Sequence, residues 1–597
     1  MKFIIYGAIF FIVVLLVGAT SAYIYLAPEA ATSQPADDRT KRLLPSGELI
    51  GFVQDDVASW LGIPFAEAPV DQLRWRAPKA INPWPGQLQS LSFKPSCPQI
   101  SQGQVTGDEN CLFLNIWSPN IVADAPQKSP VMFWIHGGGN SVGDASTPIY
   151  HGDNLSREHN VVVVSIQYRL GPLGWFRHPA LTDASSTLAD QSGNFGTLDI
   201  IEALKWVNNN ISQFGGDPTN ITIFGESAGA FNVLTMLASP LAKGLFTKAI
   251  SQSGGLNLST VAEAENYVDA PDPGNPLSAR EIVNRLLIEK KLASDRAAAV
   301  NLQSEMQPEA LANLLRKLDP AELLGLYGGA FAGMLGNPDL IADGHVLPKG
   351  MSSTKIFSDR NNYHAVPIIL GTNRDETKLF TAFGSRHVEK TLGFPSGFKN
   401  LEAYNRDNKY ATLAWKIRAV DELAAAMSAA QSEPVYAYRF DVDDWRSLGF
   451  VELKDLFGAA HALEIPFVFN KFIKPMRLIF PDAMQPQFQS LATQMGGYWA
   501  QFAHTGEPST GSSGESPLWS AWQAEESSAP GMMVFDTQSD RGVRMVSEQM
   551  TRADLKQAFL SDNTFETQTE YCSAYKNLFS GSGFDSTEYQ NLGKQGC

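Results

Sequence analysis

Positive charge is in short supply in this 597-residue chain: Lys and Arg number 46 against 62 Asp and Glu, a net charge of −16. Binding to a phosphate backbone needs clustered Lys and Arg, so a nucleic-acid partner is excluded. Charge of either sign reaches only 18% while apolar residues make up 44%, proportions that exclude a disordered acidic tail and a long coiled coil. The 49 glycines and 35 prolines are spread widely, without the period of a collagen. Cysteine is scarce as well. Four residues, none in C-x-x-C spacing, build neither a disulfide scaffold nor a cysteine zinc site, and no metal or organic cofactor is implied. Internal repeats are absent, and past the N-terminus no apolar run approaches the length of a membrane span. What remains is a globular protein with a large core. Its length suggests three or four domains of about 150 residues each, a rule that large α/β enzymes exceed as one unit.

After Met1-Lys2, residues 3–27 carry no charge and are mostly apolar. They read either as a signal peptide ending in the small residues Gly18-Ala19-Thr20-Ser21-Ala22, or as an uncleaved anchor that Tyr23-Ile24-Tyr25-Leu26 extends. Both readings export the bulk of the chain, to an extracytoplasmic or membrane-anchored location. The expected organisation is leader or anchor 1–27, linker 28–45, main domain 46–560 and C-terminal tail 561–597. Export permits disulfides. Cys97 with Cys111 and Cys572 with Cys597 is one of three possible connectivities. Four Asn-x-Ser/Thr sequons occur, at Asn154, Asn210, Asn220 and Asn257.

Along the chain, strand and helix signals alternate. Pro130–Ile135, Val161–Ile166, Ile221–Phe224 and Ala365–Leu370 read as strands, the four valines from Val161 being typical of a strand buried on both faces. Ile200–Val207 and Ala230–Leu237 have helical spacing. The pattern predicts a mostly parallel sheet flanked by helices. A helical insertion is expected between about 275 and 330, and loops at Thr510–Glu515 and 580–597.

Gly225-Glu226-Ser227-Ala228-Gly229 is a G-x-S-x-G set between a strand and an apolar helix, where a sharp turn would raise the Ser227 hydroxyl. Serine needs a base. If the order is serine, acid, histidine, the candidates are His345, His364, His387, His461 and His504. His461 is preferred from local context, because it lies in a loop before the apolar run Ile465–Phe469. The acid belongs in a loop after a strand, and Gly371-Thr372-Asn373-Arg374-Asp375-Glu376 follows one; spacing does not separate Asp375 from Glu376, and an Arg374–Glu376 surface pair is the alternative. His136-Gly137-Gly138-Gly139 follows another strand, and its amides with that of Ala228 could hold an oxyanion.

These motifs, with Glu109-Asn110-Cys111-Leu112-Phe113-Leu114-Asn115-Ile116-Trp117, Asn194-Phe195-Gly196-Thr197-Leu198-Asp199 and Trp499-Ala500-Gln501-Phe502-Ala503, make the chain resemble the type-B carboxylesterase/lipase family over roughly residues 45–550. The resemblance implies an α/β-hydrolase fold and a carboxylesterase acting on small-molecule esters through an acyl-enzyme. It implies Ser227 as nucleophile, Glu376 rather than Asp375 as acid and His461 as base. The oxyanion donors would fall on Gly138, Gly139 and Ala228, with Glu226, Ser253 and Glu464 as supporting positions. Two departures stand out: Asn110 replaces the family's usual aspartate and Ala462 its glycine after the histidine. The Cys97–Cys111 loop also lacks a tryptophan for cation recognition. Alternatives are a silent adhesion or binding protein on the same fold, as in the family's neuroligins, a lipase acting at lipid interfaces and an acyltransferase; an intact Ser227, Glu376 and His461 set argues against the first.

Overall fold

The computed structural model describes residues 34–122, 128–329, 331–391, 393–447, 451–523, 531–580, 583–593 and 596–597. The apolar stretch 3–27, read above as a leader or anchor, lies outside them. Among the described residues no helix is long and apolar enough to cross a membrane.

Runs that are apolar on both faces become the inner strands of one sheet. Its strands in chain order are β1 (Phe52–Gln54), β2 (Val57–Pro64), β3 (Phe113–Ser118), β4 (Ser129–Ile135), β5 (Val162–Ile166), β6 (Gly216–Glu226), β7 (Lys248–Gln252), β8 (Ile368–Asn373), β9 (Val435–Phe440), β10 (Met532–Phe535) and β11 (Arg544–Val546). In space the order is β11-β10-β9-β8-β7-β6-β4-β5-β3-β2-β1. From β10 to β5 the neighbours are parallel, and antiparallel strands close both edges. Every residue of β4, β5 and β8 is buried, as doubly covered parallel strands require. The expected strand at Ala365–Leu370 starts three residues later, after Pro367, which has no N–H to give the ladder.

Helices α1 (Phe195–Asn210) and α2 (Ala228–Ala238) follow the expected spacing. Further along lie α3 (Leu401–Lys416), α4 (Gln485–Thr505), α5 (Arg552–Leu560) and α6 (Gln568–Leu578). The insertion expected near 275–330 is four short helices, Ala279–Glu289, Arg296–Glu305, Pro308–Arg316 and Pro320–Gly325.

The expected boundaries need correction at both ends. Residues 42–44, assigned to the linker, pair as a strand with Gly47–Ile50. Thr40 is buried, its hydroxyl accepting from the Gly51 N–H at 2.9 Å and its carbonyl from the Trp60 indole at 2.8 Å. The folded body therefore begins before residue 46. At the other end α6 lies in the C-terminal tail, and a turn of helix at Ser586–Gln590 interrupts the 580–597 stretch read as loop. Two disulfides, Cys97–Cys111 and Cys572–Cys597, select the nearest-neighbour connectivity, consistent with an extracytoplasmic location. Of the sequons, Asn257 is exposed and Asn210 is buried.

Strand register decides where chemistry can occur. Gly225 lies level with Ile135, Glu226 with Gln252, and Gln252 with Gly371. The segments leaving β4, β6, β7 and β8 thus emerge at one edge of the sheet, the carboxyl ends of parallel strands where α/β proteins bind ligands. A buried ion pair supports that edge: Arg169 donates to Asp199 through Nε at 2.8 Å, Nη2 at 2.7 Å and its own N–H at 3.0 Å. Two residues on, the Gly171 N–H donates to Asn140 O at 2.6 Å, at the end of the glycine run. Asp199→Ala leaves a buried guanidinium unpaired and is expected to destabilise the fold by about 3–5 kcal/mol, measured as a fall in the urea midpoint; a change within experimental error contradicts this reading.

Candidate active site

Ser227 stands between β6 and α2 with φ 57° and ψ −126°, a backbone conformation that costs a non-glycine residue of order 1–3 kcal/mol. The neighbouring glycines make the turn possible. A Cβ on Gly229 would lie 2.0 Å from Ile135 O, and one on Gly225 would lie 2.6 Å from that same oxygen. The Ser227 N–H donates to Gln252 O at 2.9 Å, and its carbonyl takes the Phe231 N–H at 2.9 Å. The turn is thereby anchored to both the next strand and its own helix.

Gly137 packs on this turn: a Cβ there would approach Glu226 O at 2.7 Å and Ser227 Cβ at 3.0 Å. Gly138 has φ +106° and faces Val142 O, which a side chain would overlap. His136 is fully buried, and burial lowers its pKa. Neutral, it donates from Nδ1 to Gly137 O at 2.9 Å, while Tyr168 donates its hydroxyl to His136 O at 2.7 Å. Among the described residues the N–H groups of Gly138, Gly139 and Ala228 donate to no protein acceptor.

His461 arrives from the loop after β9 and meets Glu376, which follows β8. The Nδ1–Oε2 distance is 2.6 Å. Glu376 is fully buried, and its other oxygen accepts from Thr372 Oγ1 at 2.8 Å and the Asn373 N–H at 2.7 Å. Burial opposes its charge, but the His461 charge and these donors, with Ser253 beside them, hold the carboxyl below its usual range. Asp375 turns the other way, pairing with Arg374 at 3.0 Å and Lys378 at 3.3 Å and accepting the Ala459 N–H at 3.1 Å. That separates the two acids, and Arg374 pairs with Asp375 and Asp443 rather than with Glu376.

The opposite imidazole nitrogen, Nε2, lies 3.1 Å from Glu226 Oε1 without a hydrogen bond of good geometry. Burial disfavours the imidazolium, yet the Glu226 and Glu376 carboxylates outweigh it and push His461 up to about 9. Burial likewise pushes the Glu226 carboxyl up to about 8, against the nearby imidazole. Burial and the Glu376 charge also raise Glu464, whose oxygens accept from Gln252 Nε2 at 3.2 Å and Asn373 Nδ2 at 2.7 Å. Ser253, at φ 57° with its N–H on Gly371 O at 2.8 Å, completes this layer behind Glu376.

The remaining histidines lie elsewhere. His345 sits in a turn capped by Asp343, His387 is 3.3 Å from Asp407, and His504 contacts His159 O near the end of α4. His364 stands beside Phe246. Sequence reasoning missed Gln252 and Asn373, which tie Glu464 to the acid loop, and the Phe380 and Trp415 rings that pack on His461 at 5.2 and 5.0 Å. Asn373 was within reach, three residues before the acid in a strand-end polar run. Among the described residues no group of three or more His, Cys, Asp or Glu side chains is placed to hold a metal ion.

Comparison with known proteins identifies the family and the fold. A sequence model described as the carboxylesterase family matches residues 38–410 and 407–550. Para-nitrobenzyl esterase of Bacillus subtilis (strain 168) is 33% identical over 503 residues, which are 80% of this chain and 92% of that protein. Phenmedipham hydrolase of Pseudarthrobacter oxydans is 30% identical over 538 residues, 85% and 97% of the two chains. A solved para-nitrobenzyl esterase structure superposes with a TM-score of 0.60 at 30% identity, covering 88% of this chain and 99% of that one. A Geobacillus stearothermophilus carboxylesterase gives 0.63 at 28%, covering 87% and 99%. The chain belongs to the carboxylesterase family, enzymes of α/β-hydrolase fold that act on small-molecule esters.

Ala462, which replaces the family's glycine, holds φ +67° beside His461. A side chain in the left-handed region costs about 1–2 kcal/mol, partly offset by the freedom glycine loses on folding. Ala462→Gly is therefore expected to stabilise the protein by about 0.5–1 kcal/mol, read as a rise in the urea midpoint; a fall would show that the Ala462 methyl contributes more by packing than its backbone loses.

Proposed function

We propose that the protein hydrolyses carboxylic esters through an acyl-enzyme on Ser227, with His461 as base and Glu376 as its orienting acid. The observation that carries this reading is the 2.6 Å contact between His461 Nδ1 and Glu376, on the far side of an imidazole whose Nε2 stands against the Glu226-Ser227 turn. Glu376 holds the Nδ1–H tautomer, so Nε2 is the nitrogen that accepts the hydroxyl proton. Ser227 Oγ bonds to the carbonyl carbon as that proton moves to Nε2. The oxyanion is received by the unengaged amides of Gly138, Gly139 and Ala228, where each donor is worth about 3 kcal/mol. Collapse of the tetrahedral species breaks the bond to the alcohol oxygen, which leaves with the proton from Nε2. Water repeats the sequence, giving up its proton to Nε2, and releases the acid with Ser227 restored. Glu226 steadies the imidazolium formed in each step, and Ser253 and Glu464 hold the acid loop. Export through residues 3–27, as leader or anchor, is the location that the disulfides favour.

Ser227→Ala is expected to lower kcat on 4-nitrophenyl acetate by about 10⁴-fold or more, with the pre-steady-state burst of 4-nitrophenol abolished; a variant keeping wild-type turnover would remove Ser227 from the mechanism. The pH profile tests the base. Turnover requires neutral His461, so kcat/KM is lost as pH falls through a pKa that the carboxylates raise. Glu226→Gln removes one of those charges, and the acid limb is expected to move to lower pH by about one unit or more. An unmoved or upward-shifted limb contradicts the role given to Glu226.

A further inference from the structure

The glycine run after β4 does not hold its shape unaided. Gly138, Gly139 and Asn140 follow one another at φ +106°, +61° and +52°, and Asn140 is the one of the three with a side chain to strain. A run of this kind persists only where its surroundings over-determine it. Part of the constraint is local. Gly138 O accepts the Ser141 N–H at 3.1 Å and the Val142 N–H at 3.0 Å. The carbonyl and N–H of a planar trans peptide point in opposite directions, so the Gly139 N–H on that same peptide is turned away from the Ser141–Val142 turn.

The rest comes from outside the loop. Asn140 is buried and held at three points. Its carbonyl accepts the Gly171 N–H at 2.6 Å, its side-chain oxygen accepts from Asn232 Nδ2 at 2.8 Å, and its Nδ2 donates to Asp339 Oδ2 at 2.8 Å. Asn232 stands on α2, the helix that Ser227 precedes, so one side chain ties the glycine loop to the nucleophile's own helix and to Asp339. Desolvation raises the Asp339 carboxyl to about 6 against the pull of the Asn140 amide. Among the described residues no cation pairs with it, and a desolvated carboxylate without a cation costs stability.

The stretch that supplies Asp339 meets the loop four times. A Cβ on Gly333 would lie 3.3 Å from Val142 Cγ1, and one on Gly139 would lie 2.7 Å from Met334 Sδ. The Leu335 N–H donates to Ser141 Oγ at 3.1 Å, and that hydroxyl donates to Gly139 O at 2.9 Å. The fourth contact, Asp339 on Asn140, is the one made by a charged side chain, and it reaches the residue next to the oxyanion glycines rather than a reacting group.

We infer that Asp339 is a positioning residue of the oxyanion loop: by holding the Asn140 amide it fixes the turn from which the Gly138 and Gly139 N–H groups are presented. The inference rests on Ser227 being the nucleophile and on those amides receiving the oxyanion. Such a role is felt in the transition state and not in substrate binding, because a donor displaced by about 1 Å loses much of its effect.

The test uses the full chain and 4-nitrophenyl acetate, with each variant checked for folding by circular dichroism. Asp339→Ala is expected to lower kcat by about 10–100-fold while KM stays within about threefold of the wild type. Asp339→Asn still offers Asn140 an acceptor oxygen and is expected to bring kcat back to within about threefold. Asn140→Gly cuts the same contact from the loop side, at a positive φ that glycine adopts freely, and so tests it even where the alanine variant does not fold. The same loss of kcat is expected there, and adding Asp339→Ala to that variant lowers kcat no further. Wild-type kcat in folded Asp339→Ala or Asn140→Gly, a loss confined to KM, an asparagine variant as impaired as the alanine one, or losses that multiply in the double variant overturn the inference. Failure of the nucleophile assignment would appear separately, as acetate turnover surviving in Ser227→Ala.

Discussion

The rest of the site depends on one strained residue. Ser227 occupies a left-handed conformation at the junction of β6 and α2, and two glycines let Ile135 O approach within a distance no side chain could tolerate. That close approach brings the β4 loop, with its free amides, against Ser227. Because the register of β4, β6, β7 and β8 is set by fully buried parallel strands, the acid loop and the Gln252–Ser253 segment reach the same edge. The strain of a single turn is sustained by the packing of a whole sheet.

Around the imidazole the protein gathers three buried carboxylates, Glu226, Glu376 and Glu464. Each is treated differently. Glu376 receives three donors and holds its charge; Glu464 receives two amides and stands behind Asn373; Glu226 receives none of good geometry at Oε1 and faces Nε2 directly. The division follows from donor count, since a carboxylate in low dielectric keeps its charge only when partners compensate for lost water. It gives the histidine one fixed orienting partner and one partner that responds to its charge.

Legibility in the sequence follows locality. The serine turn and the glycine loop are local, each written within five residues and recognised by the strand that leads into it. The choice between Asp375 and Glu376 is not local: adjacent side chains leave one loop in opposite directions, and only the approach of the Ala459–His461 segment assigns one to each. Gln252 and Asn373 escape notice because their role exists only through the register of β7 against β8. The segment around Thr40 reads as linker because its composition is polar, yet its backbone completes a small sheet. The helical turn at Ser586–Gln590 reads as loop because it is short, and at α6 Tyr575 and Phe579 bury themselves against α3 and α5 rather than within their own segment.

The central claim is that Ser227 is an activated nucleophile. Reaction of the folded protein with a fluorophosphonate probe, followed by mass spectrometry of the peptides, tests it most directly. The account predicts stoichiometric modification at Ser227, slowing as pH falls and His461 takes up its proton. Modification at another serine, or none in protein shown by circular dichroism to be folded, would contradict it.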